Sequence, residues 1–123
     1  MPMKEDRIKT LLQASKSAGP LTVGFLLVPN FSMLAFASAL EPLRAANRMS
    51  GENLFSWVIS SPTGAAPEAS NGVRVDVQGT PEMLQDCRLV FVCAGLEVKA
   101  HADKETLNLI RRLDRKGAII GAI

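Results

Sequence analysis

The sequence predicts an α/β domain with a mostly parallel sheet and helices on both faces of that sheet. Short, nearly continuous apolar runs recur along the 123 residues, and segments with helical apolar spacing lie between them. An apolar run without alternation is typical of a strand that is covered on both faces, which is the usual case in a parallel sheet. Strands that alternate with helices form βαβ units, so the pattern predicts a doubly wound sheet.

The first strand and the first helix have the clearest patterns. The run from Leu21 to Val28 (LTVGFLLV) predicts a buried strand that ends before Pro29. Apolar residues at helical spacing predict a helix over 33–49. Ser32 can cap this helix, because its hydroxyl can accept a hydrogen bond from an amide of the first turn. Pro42 lies inside the helix and removes one backbone hydrogen bond, so we expect a kink there.

The rest of the chain continues the alternation, with strands predicted over 54–60, 73–77, 88–93 and 118–123, a short helix from Pro81, and a helix that begins after Asp103 and ends at Gly117. The strand over 73–77 is predicted because Val73, Val75 and Val77 alternate with charged residues, which is the period of a half-exposed strand. Residues 1–20 are polar and are expected to form a tail outside the fold. The predicted domain therefore covers residues 21–123.

Composition excludes several classes of protein. With 47% hydrophobic and 21% charged residues, the chain is typical of globular proteins and not of disordered tails. A net charge of +2 is too small to indicate a nucleic-acid surface. The basic residues over 111–116 are expected in any case near the C-terminal end of a helix. No apolar stretch reaches the roughly 18–20 residues of a membrane span, and the first twenty residues lack the apolar core of a signal peptide, so we expect a cytoplasmic protein.

The cysteine and histidine content predicts no metal or cofactor. Cys87 and Cys93 are separated by five residues, which fits neither a zinc knuckle nor a redox C-x-x-C pair. His101 is the single histidine, so a zinc site cannot be assembled, and we expect it to be exposed in a polar loop.

The candidate ligand-binding residues follow from the fold class, because ligands of doubly wound sheets bind outside the carboxyl ends of the strands. Residues that follow the predicted strands, with one from a helix and one from a turn, form the candidate set: Asn30, Phe31, Ser32, Glu41, Asn71, Cys93, Ala94 and Gly95. Phe31 is placed to stack on a quaternary ammonium group, and Phe36 and Trp57 are alternatives that are more often core. Asn30 and Ser32 could present amides to a carboxylate, although capping alone also explains Ser32.

Three members of the set have simpler structural interpretations. Glu41 could bind a cationic ligand, or it could form an ion pair at the surface or at a dimer interface. Asn71 lies in a Ser-Asn-Gly sequence that most simply forms a turn. Cys93 could be a reactive thiol, but free cysteine is commonly a small buried residue, and Cys87 is expected to be one.

The sequence also resembles a known family. The segment Val23–Gly51, which contains GFLLVPNFSMLAFASALEPLRAANRMSG, resembles the start of the DJ-1/PfpI-like domain of AraC-type transcriptional regulators. Residues 69–72, 89–95 and 111–123 fit the same domain in order, so the resemblance covers about residues 21–123. Within the group, the sequence looks most similar to regulators of glycine betaine and carnitine catabolism.

This resemblance implies a flavodoxin-like sensor domain that is usually dimeric. It implies a small-molecule effector, such as a betaine or an amino-acid derivative. In such regulators a helix-turn-helix domain that contacts DNA follows the sensor, and this sequence does not contain that domain.

The resemblance also bears on catalysis. Enzymes of the wider superfamily have a nucleophilic cysteine on a strand-to-helix elbow and an acidic residue in the first helix. The position of the acid falls at Ala35, and the elbow would follow Ile123, so we expect a fragment that is truncated before the elbow and has no enzymatic activity. Two alternatives stay open: the first part of a DJ-1/PfpI-type hydrolase or amidase, and a dimerisation module without ligand, which the apolar helix over 33–43 suggests.

Overall fold

The computed structural model describes residues 5–9, 19–95 and 103–123. Their regular elements are the strands β1 (Leu21–Leu27), β2 (Phe55–Ser60), β3 (Leu89–Cys93) and β4 (Ile119–Ala122), the helices α1 (Met33–Ser50) and α2 (Lys104–Arg115), and a 3-10 helix over Pro81–Asp86. The predicted helices and the four buried strands are thus present, with ends that differ from the prediction by one or two residues.

All strand pairs of the sheet are parallel, and the strand order is β2-β1-β3-β4. Val23 of β1 lies opposite Trp57 on one side and Leu89 on the other. The chain moves from β1 outward to β2, and it then crosses back over β1 to β3 and β4. The order of the strands therefore reverses between β1 and β3. This arrangement confirms the predicted parallel α/β sheet.

The sheet is buried on both faces because successive residues of a strand point to opposite sides. On the face covered by α1, a core forms around Phe25 and Leu27 of β1, Phe31 and Phe36. On the other face, Leu26 packs with residues of the 3-10 helix, β3 and α2, which include Leu84, Val90, Leu109 and Leu113. A central strand with apolar neighbours on both faces explains the continuous apolar run in its sequence.

Both ends of α1 are capped as the sequence predicts. The hydroxyl of Ser32 accepts a hydrogen bond from the amide of Ala35 at 3.2 Å. At the other end, Gly51 has the left-handed φ of 69° that glycine adopts without a steric penalty, and its amide donates to the carbonyl of Asn47 at 3.1 Å. The helix continues through Pro42, which lies on the exposed side. The kink expected there stays a prediction.

The outer edge of β2 is covered by polar groups at both of its ends. The side-chain amide of Asn47 donates to the carbonyl of Phe55 at 2.8 Å and accepts from the amide of Phe55 at 2.9 Å. Near the other end, the amide of Ile59 donates to the side-chain oxygen of Gln78 at 2.5 Å, and the amide of Gln78 donates to the carbonyl of Ile59 at 2.9 Å. These bonds occupy the backbone groups that β2 directs away from β1 at Phe55 and Ile59.

The prediction of a strand over 73–77 is wrong. These residues form no strand ladder, and their region contains a single isolated bridge between Glu68 and Arg74. The amide of Ala69 donates to the carbonyl of Val73 at 2.8 Å, so the chain folds back on itself at this point. The alternation arises because Val75, which packs against the α1-side core, and Val77 are half-buried, whereas Arg74 and Asp76 are exposed. One-sided burial of an irregular segment produces the same period as a strand.

The tail contains structure that contacts the fold. Residues 5–9 are helical, and the guanidinium of Arg7 donates to the carbonyl of Gly117 at 2.7 Å. The domain boundary at residue 21 stays a prediction, although Arg7 contacts the turn that follows α2. Among the described residues, no helix combines the length and the apolar character that a membrane span requires.

Candidate functional site

The carboxyl ends of β1 and β3 lie side by side where the strand order reverses. The amide of Val28 donates to the carbonyl of Cys93 at 3.0 Å, and the amide of Ser32 donates to the carbonyl of Ala94 at 3.4 Å. In doubly wound sheets of this strand order, ligands bind in the crevice at this reversal. We name the five residues Asn30, Phe31, Ser32, Ala94 and Gly95 the strand-end site. The structure therefore brings together five of the eight residues that the sequence predicts.

The two turns of the strand-end site approach each other too closely for a side chain between them. A Cβ atom on Gly95 would overlap the carbonyl oxygen of Asn30 and would lie 3.1 Å from its carbonyl carbon. Asn30 itself has a φ of 70°, in the left-handed region that asparagine tolerates better than most residues. Glycine at 95 and asparagine at 30 thus allow the backbones of the two turns to pack directly.

A third segment closes one side of the strand-end site. The amide of Asn30 donates to the carbonyl of Glu68 at 2.8 Å, and the amide of Ser70 donates to the carbonyl of Phe31 at 2.9 Å. The contact of Glu68 could not be predicted from the sequence, because backbone contacts between distant segments leave no pattern in the side chains. Asn71 follows directly, but its side-chain oxygen accepts from the amide of Val73 at 3.0 Å. Asn71 is exposed in this position and stabilises a turn, which is the simpler of its two interpretations.

The side chains of Phe31 and Cys93 are completely buried in the core below the two turns. The ring of Phe31 packs edge-to-face on Phe36, with centroids 6.0 Å apart, so neither ring presents an open face for an ammonium group. Burial raises the pKa of the Cys93 thiol to about 12. The thiol is therefore protonated at neutral pH, and a protonated thiol is a poor nucleophile.

The structure separates Glu41 from the strand-end site. Glu41 lies nine residues beyond Ser32 along α1, which corresponds to about 14 Å of helix. Its carboxylate accepts a hydrogen bond from the Nε of Arg44 at 2.6 Å, and both side chains are exposed. The surface ion pair is thus the interpretation that the structure supports. Because α1 runs back along the sheet from its N-terminus, residues of its middle turns cannot reach the strand ends.

The polar groups at the strand-end site suit an anion better than a cation. The N-terminus of α1 lies there, and the first amides of a helix have no acceptor within the helix. Ser32 occupies one of these amides, that of Ala35, and the first turn of α1 contains no acidic residue. Across the described part of the chain, no group of three or more histidine, cysteine, aspartate or glutamate residues could hold a metal ion.

A separate groove of about 640 Å³ lies between the 3-10 helix and α2. It is lined by Pro62, Pro81, Glu82, Glu105, Thr106, Asn108, Leu109, Arg112 and Arg115. None of the predicted ligand-binding residues lines this groove, although two arginines of the basic cluster do. His101 lies outside the described residues.

Comparison with known proteins identifies related regulators. The chain is 40% identical over 111 residues to the HTH-type transcriptional regulator GlxA of Rhizobium meliloti, which covers 89% of this chain and 34% of that protein. It is 41% identical over 99 residues to the HTH-type transcriptional regulator CdhR of Pseudomonas aeruginosa, which covers 80% of this chain and 29% of that protein. The chain thus spans about a third of the length of these relatives. No family model matches it.

Comparison with solved structures identifies the fold. An AraC family transcriptional regulator from Pseudomonas putida superposes with a TM-score of 0.73 at 25% identity, over 84% of this chain and 55% of the other. A DJ-1 superfamily protein from Agrobacterium tumefaciens superposes with a TM-score of 0.62 at 18% identity, over 83% of this chain and 52% of the other. The resemblance found in the sequence is confirmed: the chain has a DJ-1/PfpI-like fold and is homologous to AraC-type, HTH-type transcriptional regulators over about a third of their length.

Proposed function

We propose that this chain is the ligand-sensing and dimerisation region of a cytoplasmic, DNA-binding transcriptional regulator. The observation that carries the proposal is the 40% identity to an HTH-type regulator over 111 residues, which include both turns of the strand-end site. DNA is contacted by a helix-turn-helix domain outside this chain. A ligand that binds the two arrangements of the dimer unequally would change the affinity of that domain for DNA.

The effector we propose is a small metabolite with a carboxylate, such as a betaine or an amino-acid derivative. Its carboxylate would lie against the first amides of α1, beside Ser32, where the helix dipole favours negative charge. Asn30 and Gly95 would shape the floor of the site through their backbones. The buried rings of Phe31 and Phe36 do not support an aromatic cage for the ammonium end, so that end would face the solvent side of the site.

The alternative of a DJ-1/PfpI-type hydrolase or amidase has less support. Ala35 occupies the position at which the superfamily resemblance implies the catalytic acid, and it has no titratable group. Cys93, the thiol nearest to the site, is buried and protonated at neutral pH. We therefore propose a role in binding and not in catalysis.

Two measurements test the proposal. The complete reading frame should encode a helix-turn-helix domain, and its absence would refute the regulator. For the chain itself, glycine betaine, carnitine and free amino acids should be screened by thermal shift, because a ligand that binds only the folded form raises its stability, by about 2.7 kcal/mol at a hundredfold excess over Kd. A panel without any shift would favour the dimerisation module that needs no ligand.

If one of these compounds stabilises the chain, a matched pair of variants tests where it binds. Ser32→Ala removes a hydroxyl at the N-terminus of α1, and Ser50→Ala removes one at its other end. Ligand-induced stabilisation should change in the first variant, in which the amide of Ala35 loses its acceptor, and stay unchanged in the second. Equal responses of the two variants would place the ligand elsewhere, for which the groove beside α2 is the next candidate.

A further inference from the structure

The groove between the 3-10 helix and α2 is left open because the crossover from β2 to β3 contains only a short helix. The 3-10 helix has six residues and α2 has twelve, and both pack on the same face of the sheet. Both run from the carboxyl ends of the strands toward the amino ends, because each precedes a parallel strand. At the far end, the ammonium group of Lys116 donates to the side-chain oxygen of Gln85 at 2.8 Å and joins the two helices. The volume of about 640 Å³ is within the range of small-molecule sites.

One wall of the groove is a polar stripe of α2 that consists of Glu105, Asn108, Arg112 and Arg115. These positions are three or four residues apart, so they share one face of the helix. At a rise of about 1.5 Å per residue, Glu105 and Arg112 lie about 10 Å apart along the helix axis. Glu82 lines the groove from the start of the 3-10 helix. The groove thus has an acidic end near the starts of both helices and a basic end near the last turns of α2.

The charges that line the groove do not pair with one another. The ion pairs found among the described residues lie elsewhere on the surface. The Nε of Arg115 donates to the carbonyl of Arg111 at 3.4 Å, and within the described part of the chain the guanidinium of Arg112 donates no hydrogen bond. Hydrogen bonds from Thr80 and from its own amide lower the pKa of Glu82, and the charge of Arg112 lowers it further, so this carboxylate is ionised at neutral pH. Charges of both signs are therefore available to a ligand.

The floor of the groove contains a buried hydroxyl group without a hydrogen-bond partner. Thr106 and Leu109 are the buried residues that line the groove, and Thr106 is 1% exposed. The amide of Thr106 donates to the carboxylate of Asp103 at 2.8 Å and lowers its pKa, to which the nearby hydroxyl contributes less. The hydroxyl oxygen itself has no partner of hydrogen-bonding geometry among the described residues. A buried polar atom without a partner costs free energy, so a ligand group that bonds to Thr106 is favoured.

We propose that this groove binds an extended zwitterion, a free peptide of about three residues, with its carboxylate at Arg112 and Arg115 and its terminal ammonium group at Glu105. The planar guanidinium groups match a carboxylate, to which each can donate two parallel hydrogen bonds. An extended chain rises about 3.3–3.6 Å per residue, so three residues span the roughly 10 Å between the charged ends, and a single amino acid is too short to reach both. The full charges of these side chains outweigh the partial charges, about half a unit, at the ends of α2.

The exposure of the charged side chains sets the expected affinity. Ion pairs in contact with water are weak, so we expect a Kd on the order of 1 mM that rises further with salt. The groove is separate from the strand-end site, and binding there requires neither the effector proposed for that site nor DNA. The peptide site can therefore fail while the proposed regulator stands, and the reverse also holds.

Titration of the chain with triglycine tests the class of ligand. Triglycine, added at low salt to the isotope-labelled chain, should shift the amide NMR resonances of residues 105–115 with a Kd on the order of 1 mM. N-acetyltriglycine lacks the ammonium charge and triglycinamide lacks the carboxylate, so each should bind about threefold or more weakly. Glycine has both charges but at too short a separation, and it should also bind more weakly than triglycine.

Charge-removing variants of α2 test the placement of the ligand. Arg112→Gln with Arg115→Gln should bind triglycine no better than triglycinamide, because the carboxylate has lost both partners. Glu105→Gln should likewise remove the difference between triglycine and N-acetyltriglycine. The matched control is Lys104→Gln with Arg111→Gln, which removes the same charge from exposed positions of α2 outside the groove and should keep the preference for triglycine over triglycinamide. All of these side chains are exposed, so the circular dichroism spectrum should not change.

Three results would overturn the proposal. The first is the absence of any resonance shift at about 20 mM triglycine, which is far above the expected Kd. The second is glycine that binds as tightly as triglycine, because the separation of the charges would then be irrelevant. The third is a control double variant that loses the preference for triglycine over triglycinamide, because the overall charge of the chain and not the pair of arginines would then determine binding.

Discussion

Gly95→Ala is the change that most directly tests the geometry of the strand-end site. The added methyl group would overlap the carbonyl oxygen of Asn30, and its nearest contacts are all backbone atoms of residues 30 and 31. Backbone cannot rotate away as a flexible side chain can, so the turn after β1 or the turn after β3 must move. We expect the amide of Ser32 to lose its bond to the carbonyl of Ala94 as the turns separate.

The loss of stability expected for Gly95→Ala is the sum of two contributions. Overpacking of this kind costs about 1–3 kcal/mol, and one lost backbone hydrogen bond costs about 1 kcal/mol. The free energy of unfolding should therefore fall by about 2–4 kcal/mol, which lowers the melting temperature by roughly 10 °C for a domain of this size.

Gly117→Ala is the control for Gly95→Ala, and the free energy of unfolding of both variants is measured in urea. Gly117 has a φ of 91° and no atom within 4 Å of the added methyl, so its cost is conformational only, about 1–2 kcal/mol. If Gly95→Ala destabilises the chain no more than Gly117→Ala does, the close approach of the two turns is wrong. The strand-end site then loses its geometric basis.

Three further outcomes are expected. Asn47→Ala should lower the free energy of unfolding in urea by about 2 kcal/mol, because it removes both bonds to the backbone of Phe55, and a loss under 0.5 kcal/mol would contradict this. Burial raises the pKa of Cys87 to about 11 and that of Cys93 to about 12, so neither thiol should react with a thiol reagent at pH 8 until urea unfolds the chain. The amide of Thr106 lowers the pKa of Asp103, so the stabilisation from this cap is present above the unfolded pKa of about 4 and is lost as the pH falls through the lower folded value. Asp103→Asn should flatten that part of the pH–stability curve.

Most of the fold could be predicted from the sequence, because burial in this fold determines which positions of each strand and helix are apolar. The central strand β1 is apolar without alternation because both faces of the sheet cover it. The caps Ser32 and Asp103 are side-chain features, and both accept the predicted bond from the third residue of their helices. The segment over 73–77 was wrongly predicted as a strand, because burial on one side gives the same alternation with or without a neighbouring strand.

The position of the candidate residues at the strand ends could be predicted from the sequence, but the orientation of their side chains could not. The rule that ligands bind at strand ends places Asn30, Ser32 and Gly95 together, as the structure does. The same rule cannot distinguish a side chain that points outward from one that turns under the strand, which is why Phe31 entered the candidate set although its ring is buried. Glu41 was included because periodicity shows the face of a helix and does not show its distance from the strand ends.

The covered edge of β2 limits how copies of this chain can join through their sheets. A polymer of sheets needs two open edges on every subunit, so that each copy can pair on both sides. Asn47 and Gln78 already occupy the outward backbone groups of Phe55 and Ile59, which leaves Trp57 as the single outward-facing residue between them. Growth through β2 would first require these side chains to be displaced. The side chains of Asn47 and Gln78 therefore oppose edge-to-edge association through β2.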